Sequence, residues 1–183
     1  MIDDFAKTYL HDALRYVRGS LVEKVEGLSE YDVRRPLTHT GTNLLGLIKH
    51  LTLTEARYLG NIFDRPYPEP LPSFTDPGYA NRHHLWVPEH ETRTQILTNY
   101  ERARAHADST IEALPIDTPA TVPWWPSPDV MLFNVLVHVL TETNRHAGHA
   151  DILHEQLTGP ADPSVDWASH RAQIEAAARA AEQ

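Results

Sequence analysis

Proline does most to limit what this chain can become. Pro36 interrupts the first part of the sequence, and Pro66, Pro68, Pro70, Pro72, Pro77 and Pro88 crowd one later stretch. Pro115, Pro119, Pro123 and Pro126 crowd another, and Pro160 follows Gly159. Inside a helix, proline removes a hydrogen bond and clashes with the preceding turn, and in a central strand it breaks the ladder. Long regular elements are therefore confined to the segments between these clusters.

Those segments read as helices. Residues 3–27 place Phe5, Tyr9, Leu10, Leu14, Val17, Leu21 and Val25 at helical spacing, and Ser29 to Asp32 break the pattern. A second helix is expected from an N-cap at Thr42 to about Phe63, with Leu44, Leu45, Leu47, Ile48, Leu51, Tyr58 and Leu59 as its apolar stripe. A third runs from about Glu89 to Leu114, with Thr92 and Gln95 spaced as a capping box. The fourth opens on Ser127 as N-cap with Pro128 at its first position, and stops at Gly159 and Pro160. A shorter, Ala-rich fifth helix over about 164–181 is expected on the outside, and no strand-period run stands out. The stretch 64–88 carries Phe74, Tyr79, Leu85 and Trp86, which mark it as an ordered flap. The spacing thus predicts an all-α fold, a four-helix bundle with a short extra C-terminal helix, in one domain over residues 1–183.

Charge and composition narrow the partners. A net charge of −9 disfavours a DNA duplex or an anionic membrane surface, either of which calls for a basic face. Arg15, Arg18, Arg34 and Arg35 read as a solvated basic face. No stretch approaches the roughly 18 apolar residues of a membrane span. Asp3 and Asp4 occupy the N-terminus without the apolar run of a signal peptide, so the cytoplasm is the expected compartment. The chain has no cysteine, which removes disulfides, thiolate nucleophiles and Cys-type zinc sites.

It has 12 histidines, and several fall in one helical run. At about 100° per residue, His138, Glu142, His146 and His149 share an arc of about 80° with Met131, Val135 and Leu153, so that face is expected to look inward. A carboxylate and imidazoles among leucines are expensive to bury unless something neutralises them. A divalent metal ion does so, and Glu142 and His146, one turn apart, can grip one ion together. His50, inside the stripe Leu47, Ile48, Leu51, is the candidate third ligand, which leaves a coordination position open. The bland alternative is a common Glu–His helix pair and a core histidine satisfied by a carbonyl. His149 reads as an alternative ligand or a partner of the ligands, and His138 as a core or channel residue. His83, His84, His90, His106 and His170 read as surface.

The segment Leu44 to Leu51 and the segment Glu142 to Leu153, with its Glu142-Thr143-Asn144-Arg145-His146-Ala147-Gly148-His149 core, resemble the DinB-like metal-binding bundles. The resemblance is to their mini-circle-protein and mycothiol-dependent transferase branch, and it extends over about residues 5–160. It implies one divalent ion, zinc or nickel, held by a histidine of the second helix and a pair on the fourth. Carried onto this chain, those positions are His50, Glu142 and His146. Glu142 departs from the usual three-histidine set, as in the related mycothiol-dependent maleylpyruvate isomerase. The resemblance implies a metal-dependent transferase that activates mycothiol or a similar thiol toward a small electrophile; it gives His149 no settled role, and the reading of His149 as a catalytic proton relay rests on its place beside the ligands. Trp86 and the Trp124–Trp125 pair are candidates to wall the electrophile's pocket. A homodimer is expected, with apolar stripes on helices one and three to cover. A metal-assisted hydrolase and a non-enzymatic metal-binding stress protein remain open beside it.

Overall fold

A computed structural model describes residues 4–181 and is mostly helical. Four long helices form the body: α1 (Asp4–Glu23), α3 (Leu44–Tyr58), α5 (Arg93–Ala113) and α6 (Leu132–Thr158). α1 packs on α6 and α5, and α3 packs on the same two neighbours, so the four close into a bundle with α1 and α3 on one diagonal. Short elements fill the connections: α2 (Glu30–Arg34), a 3-10 turn at Asn61–Phe63, α4 (Pro77–Ala80) and a 3-10 turn at His83–Leu85. The expected outer helix is α7 (Trp167–Ala180), which contributes no buried side chain. Among the described residues no helix is long and apolar enough to cross a membrane.

Several local rules hold as read. Thr92 caps α5 in a reciprocal box: its hydroxyl accepts from Gln95 N at 3.1 Å, and Gln95 Oε1 accepts from Thr92 N at 2.7 Å. Other boundaries move. Asn43, not Thr42, caps α3, its side-chain oxygen accepting from Gly46 N at 2.8 Å. That helix ends at Tyr58, and the remaining residues to Phe63 tighten into the 3-10 turn before Asp64 turns left-handed at φ 53°. Residues 30–34 form a turn of helix because Ser29 accepts from Asp32 N at 3.0 Å.

The start of α6 is the largest correction. Ser127 and Pro128 do not open it. The chain first makes a two-stranded antiparallel hairpin, β1 (Pro119–Thr121) and β2 (Asp129–Met131), with Ala120 opposite Val130. Val122 N also donates to Pro128 O at 2.8 Å, so the backbone around Pro128 is spent on the hairpin. Helix begins only at Leu132, where Asn134 Oδ1 accepts from Met131 N at 3.0 Å. Pro119 is tolerated at a strand end with a single neighbour.

The core is two apolar clusters with a polar level between them. One gathers Leu14, Val17, Leu59, Ile111, Leu132 and Val139; the other gathers Leu21, Ile48, Leu51, Ile96, Tyr100 and Leu153. Between them lie Arg18 of α1 and Glu55 of α3, both 0% exposed. Arg18 Nε and Nη2 reach the two Glu55 oxygens at 2.9 and 2.5 Å, and Nη1 reaches Asp108 Oδ1 of α5 at 2.5 Å. His11 Nε2 meets the same Asp108 oxygen at 2.8 Å. Burial opposes charging Arg18, but Glu55 and Asp108 outweigh it and raise the guanidinium pKa. Burial also drives the Glu55 carboxyl up against the attraction of Arg18. A guanidinium does not deprotonate in proteins, and its two-pronged contact keeps the carboxylate ionised. The Asp108 carboxyl resists burial through His11 and Arg18 and falls well below the usual carboxylate range.

The expected solvated basic face therefore does not exist. Arg18 is central, Arg15 pairs with Glu112 at 2.8 Å, Arg34 donates to Glu91 O at 2.9 Å, and Arg35 pairs with Asp32 at 3.0 Å. Removing one partner of a buried pair strands the other charge at a cost of about 3–5 kcal/mol. Arg18→Met should lower the urea unfolding free energy by about that amount, and Arg18→Met combined with Glu55→Met should lose clearly less. Equal losses from the single and double changes would refute the pairing as the source of the cost.

Candidate metal centre

The sequence's second polar group lies about 7.5 Å along α3 from Glu55, on the seam between α3 and α6. Glu55 aims at the bundle centre, and His50 lies five residues earlier, about 140° around the helix. That rotation turns His50 toward α6, where Glu142 and His146 stand one turn apart. Glu142 Oε1 is 3.4 Å from His50 Nε2 and 3.1 Å from His146 Nε2. One ligand atom from each of the three lies within 4.8 Å of the others, and all three side chains are half-buried.

The donor set fits a divalent ion. Two imidazole nitrogens and a carboxylate oxygen at about 2.0–2.1 Å from a tetrahedral zinc sit about 3.3 Å apart along each edge. The 3.1 and 3.4 Å separations here already match that edge. Protonation favours the same role. Hydrogen bonding from His50, with His146 close by, lowers the Glu142 carboxyl to about 2. Burial, with His50 alongside, pushes His146 below its ordinary value. An ionised carboxylate and a neutral imidazole are the forms that bind metal.

His149 stands at the edge of this group and is exposed. Its Nδ1 is 3.3 Å from Nδ1 of His146, the nitrogen that does not face Glu142. Arg145 approaches Glu142 Oε2 at 3.6 Å from the solvent side. His138, one turn before Glu142, packs its ring 4.7 Å from Tyr58 and 4.8 Å from Trp125. Met131, expected on the inward arc, is 37% exposed because the hairpin carries it away from the core.

Beside the triad is a cavity of about 270 Å³ whose lining includes His50, Glu142, His138, Tyr58, Phe74 and Trp124. The flap roofs it. A Cβ on Gly46 would collide with the Leu85 carbonyl oxygen, so α3 and the 83–85 turn meet at that glycine. The contact brings His84 over the pocket, its ring stacked on Tyr79 at 4.0 Å and 5.8 Å from that of His50. His84 is thus not the surface residue its loop position suggested; burial pushes its pKa down. His106 is likewise half-buried, meeting Arg65 O at 2.8 Å. Trp86, expected to wall the pocket, faces outward and is 42% exposed. Phe74, Tyr79 and Arg57 take that place, with the Arg57 guanidinium 4.1 Å above the Phe74 ring. A wider groove of about 1140 Å³ continues past Arg57, Phe74 and Trp124.

Fold and site together define a helical bundle with a two-histidine, one-carboxylate candidate metal centre under an aromatic flap. The mycothiol-S-transferase family model matches residues 9–159, and the chain belongs to this family of DinB-like transferases. No curated protein matches the chain.

Three histidines around the pocket, His84, His138 and His146, have lowered pKa values, each chiefly through burial. Unfolding restores their ordinary value of about 6.5, so below it the unfolded chain binds more protons and stability falls as pH falls. Glu142 acts in the same direction, but its contribution is lost only as pH drops from about 4.5 toward its folded value of about 2. The melting temperature of chelator-treated protein should therefore decline from about pH 7 to about pH 5. A flat or rising profile would contradict the burial of these rings.

Proposed function

We propose that this protein is a divalent-metal-dependent mycothiol S-transferase, with His50, Glu142 and His146 as the ligands of one zinc or nickel ion. The observation that carries the reading is their convergence from two helices, in a thiol-transferase family, within a chain that has no cysteine. A protein without thiols borrows its sulfur nucleophile, and it is not itself alkylated at cysteine by its own electrophile.

A bound divalent cation supplies the charge that deprotonates a thiol whose free pKa is about 8.5. Bringing that value below about 7 corresponds to roughly 2 kcal/mol. Part of this is given back, since a less basic thiolate is a weaker nucleophile. The protein's own groups do the rest. Glu142 offsets the cation's charge, and His50 and His146 leave a coordination position free. With His146 Nε2 engaged as a ligand, its Nδ1–H donates to His149 Nδ1, which fixes the ring. In this arrangement the accepting nitrogen of His149 is already taken, so exposed His149 holds the His146 ring in place, and the released thiol proton passes to water at this open edge of the site. The aromatic cavity takes the small electrophile. The whole chain acts as one domain, in the cytoplasm.

Purified protein should carry about one equivalent of zinc or nickel. His146→Ala and His50→Ala should each lose it. The metal-loaded protein should join mycothiol to monobromobimane faster than the uncatalysed reaction, and chelation should return the rate to background. Full metal occupancy in either variant would sink the ligand assignment. Thiol-independent ester or amide cleavage, with no thiol transfer, would make the protein a hydrolase instead.

The subunit is proposed to pair through α1. Phe5, Tyr9 and Tyr16 are 77%, 66% and 81% exposed. At about 100° per residue they fall within about 40° of one another on one face of that helix. Large aromatic stripes of this kind mark interaction surfaces. Light scattering should report twice the chain mass, and Tyr9→Lys with Tyr16→Lys should halve it; a monomer at all concentrations would refute the dimer.

A further inference from the structure

The phenol of Tyr58 has an unusual set of partners. Trp124 Nε1 donates to its oxygen at 2.9 Å and Trp125 Nε1 donates to it at 3.1 Å. Two indole donors occupy the acceptor sites of that oxygen, and an indole nitrogen has nothing to accept with. What Tyr58 still has to offer is its own proton, for which no acceptor is present among the described residues. A hydroxyl so placed can only donate.

Its position gives that proton a use. Tyr58 lines the same cavity as His50 and Glu142, two helical turns or about 12 Å along α3 from His50. Opposite it on α6, His138 packs its ring 4.7 Å away, one turn before Glu142. The walls between the two ends are rings: Phe74 stands edge-on to Trp124 at 5.1 Å, and Tyr79 stacks on His84. At about 270 Å³ the space lies at the small end of ligand pockets. It suits a compact, flat or apolar molecule with one oxygen atom held at the Tyr58 end.

We propose that Tyr58 is the hydrogen-bond and proton donor to the electrophile, and that the electrophile is a small oxygen compound, an epoxide or a conjugated carbonyl. This rests on the thiol-transfer reading above and names its substrate class. With an epoxide, the thiolate forms a carbon–sulfur bond as the ring carbon–oxygen bond breaks, and the electron pair goes to oxygen. That oxygen takes the Tyr58 proton, and the tyrosinate recovers one from water. With a conjugated carbonyl, sulfur adds at the β-carbon, the π electrons move to the carbonyl oxygen, and the same proton meets them there. The thiol's proton has already left to water, so the sum is one thiol plus one electrophile giving one thioether. The two tryptophans aim the donor by leaving the phenol oxygen no other role.

The test compares two electrophiles on metal-loaded protein with mycothiol. Styrene oxide develops an alkoxide; monobromobimane expels bromide, a poor hydrogen-bond acceptor that needs no proton. Tyr58→Phe should lower kcat/KM for styrene oxide at least about tenfold more than for monobromobimane, in line with the loss of a general acid. Trp124→Phe, which removes one aiming donor and keeps the hydroxyl, should show the same bias to a smaller degree. Equal losses on both electrophiles in Tyr58→Phe, or retention of both, would overturn the role of Tyr58. Wild-type protein that accelerates neither reaction would instead overturn the transferase reading itself, and wild-type activity on monobromobimane with none on styrene oxide or methyl vinyl ketone would overturn the substrate class alone.

Discussion

The structure turns on a charged pair that has no water. Arg18 and Glu55 are both fully buried where α1 faces α3 across the bundle, and Asp108 of α5 takes the remaining guanidinium nitrogen. Such a pair contributes little net stability compared with leucines in the same space. What it imposes is position. A guanidinium must meet a carboxylate in a plane at two points, so α1 and α3 have one permitted rotation and one permitted height. Apolar clusters above and below tolerate a slide of one helix past another, whereas this pair does not.

The candidate centre inherits that constraint. His50 and Glu55 sit on one helix, so fixing the roll of α3 for Glu55 also turns His50 toward α6. α6 then has to present Glu142 and His146 at the same height, which it does between Val139 of one apolar cluster and Ala150 of the other. Two polar groups on α3, little more than a turn apart, thus divide the work, registry at the bundle centre and ligand placement at the seam. The flap adds a roof only because α3 carries a glycine, Gly46, where the 83–85 turn comes down.

Much of this was legible in the residues. The four long helices, the Thr92–Gln95 box, the ordered flap and the grouping of His50, Glu142 and His146 follow from spacing and proline placement, because helical period is a local signal. The hairpin was not legible. Ser127 and Pro128 satisfy the rules of a helix start, and only pairing with Pro119 to Thr121, a partner outside any local window, overrides them. Arg18 was misplaced because charge was weighed before periodicity. It follows Leu14 by four residues and precedes Leu21 by three, and Glu55 follows Leu51 by four and precedes Leu59 by four. A charge in the middle of an apolar stripe, on two helices at once, was the available sign of a buried pair. His84 carried no such sign, since its place over the pocket comes from the fold of a proline-rich loop.

The flap meets α3 at a few points: Leu85 against Gly46, the Trp86 carbonyl on Lys49 at 3.3 Å, and the Pro72 carbonyl on Arg57. Among the flap's contacts with α3, only that of the His84 ring with His50 reaches a candidate ligand, and none involves a neighbour of Glu142 along α6. Apart from that one ring contact, floor and roof of the cavity are separate inheritances. Residues 64–88 can be exchanged, lengthened or trimmed as a cassette, altering which molecules are admitted while the chemistry beneath stays as it was. A fold built this way diversifies by re-cutting its lid, and Gly46 is a floor position that every new lid must respect.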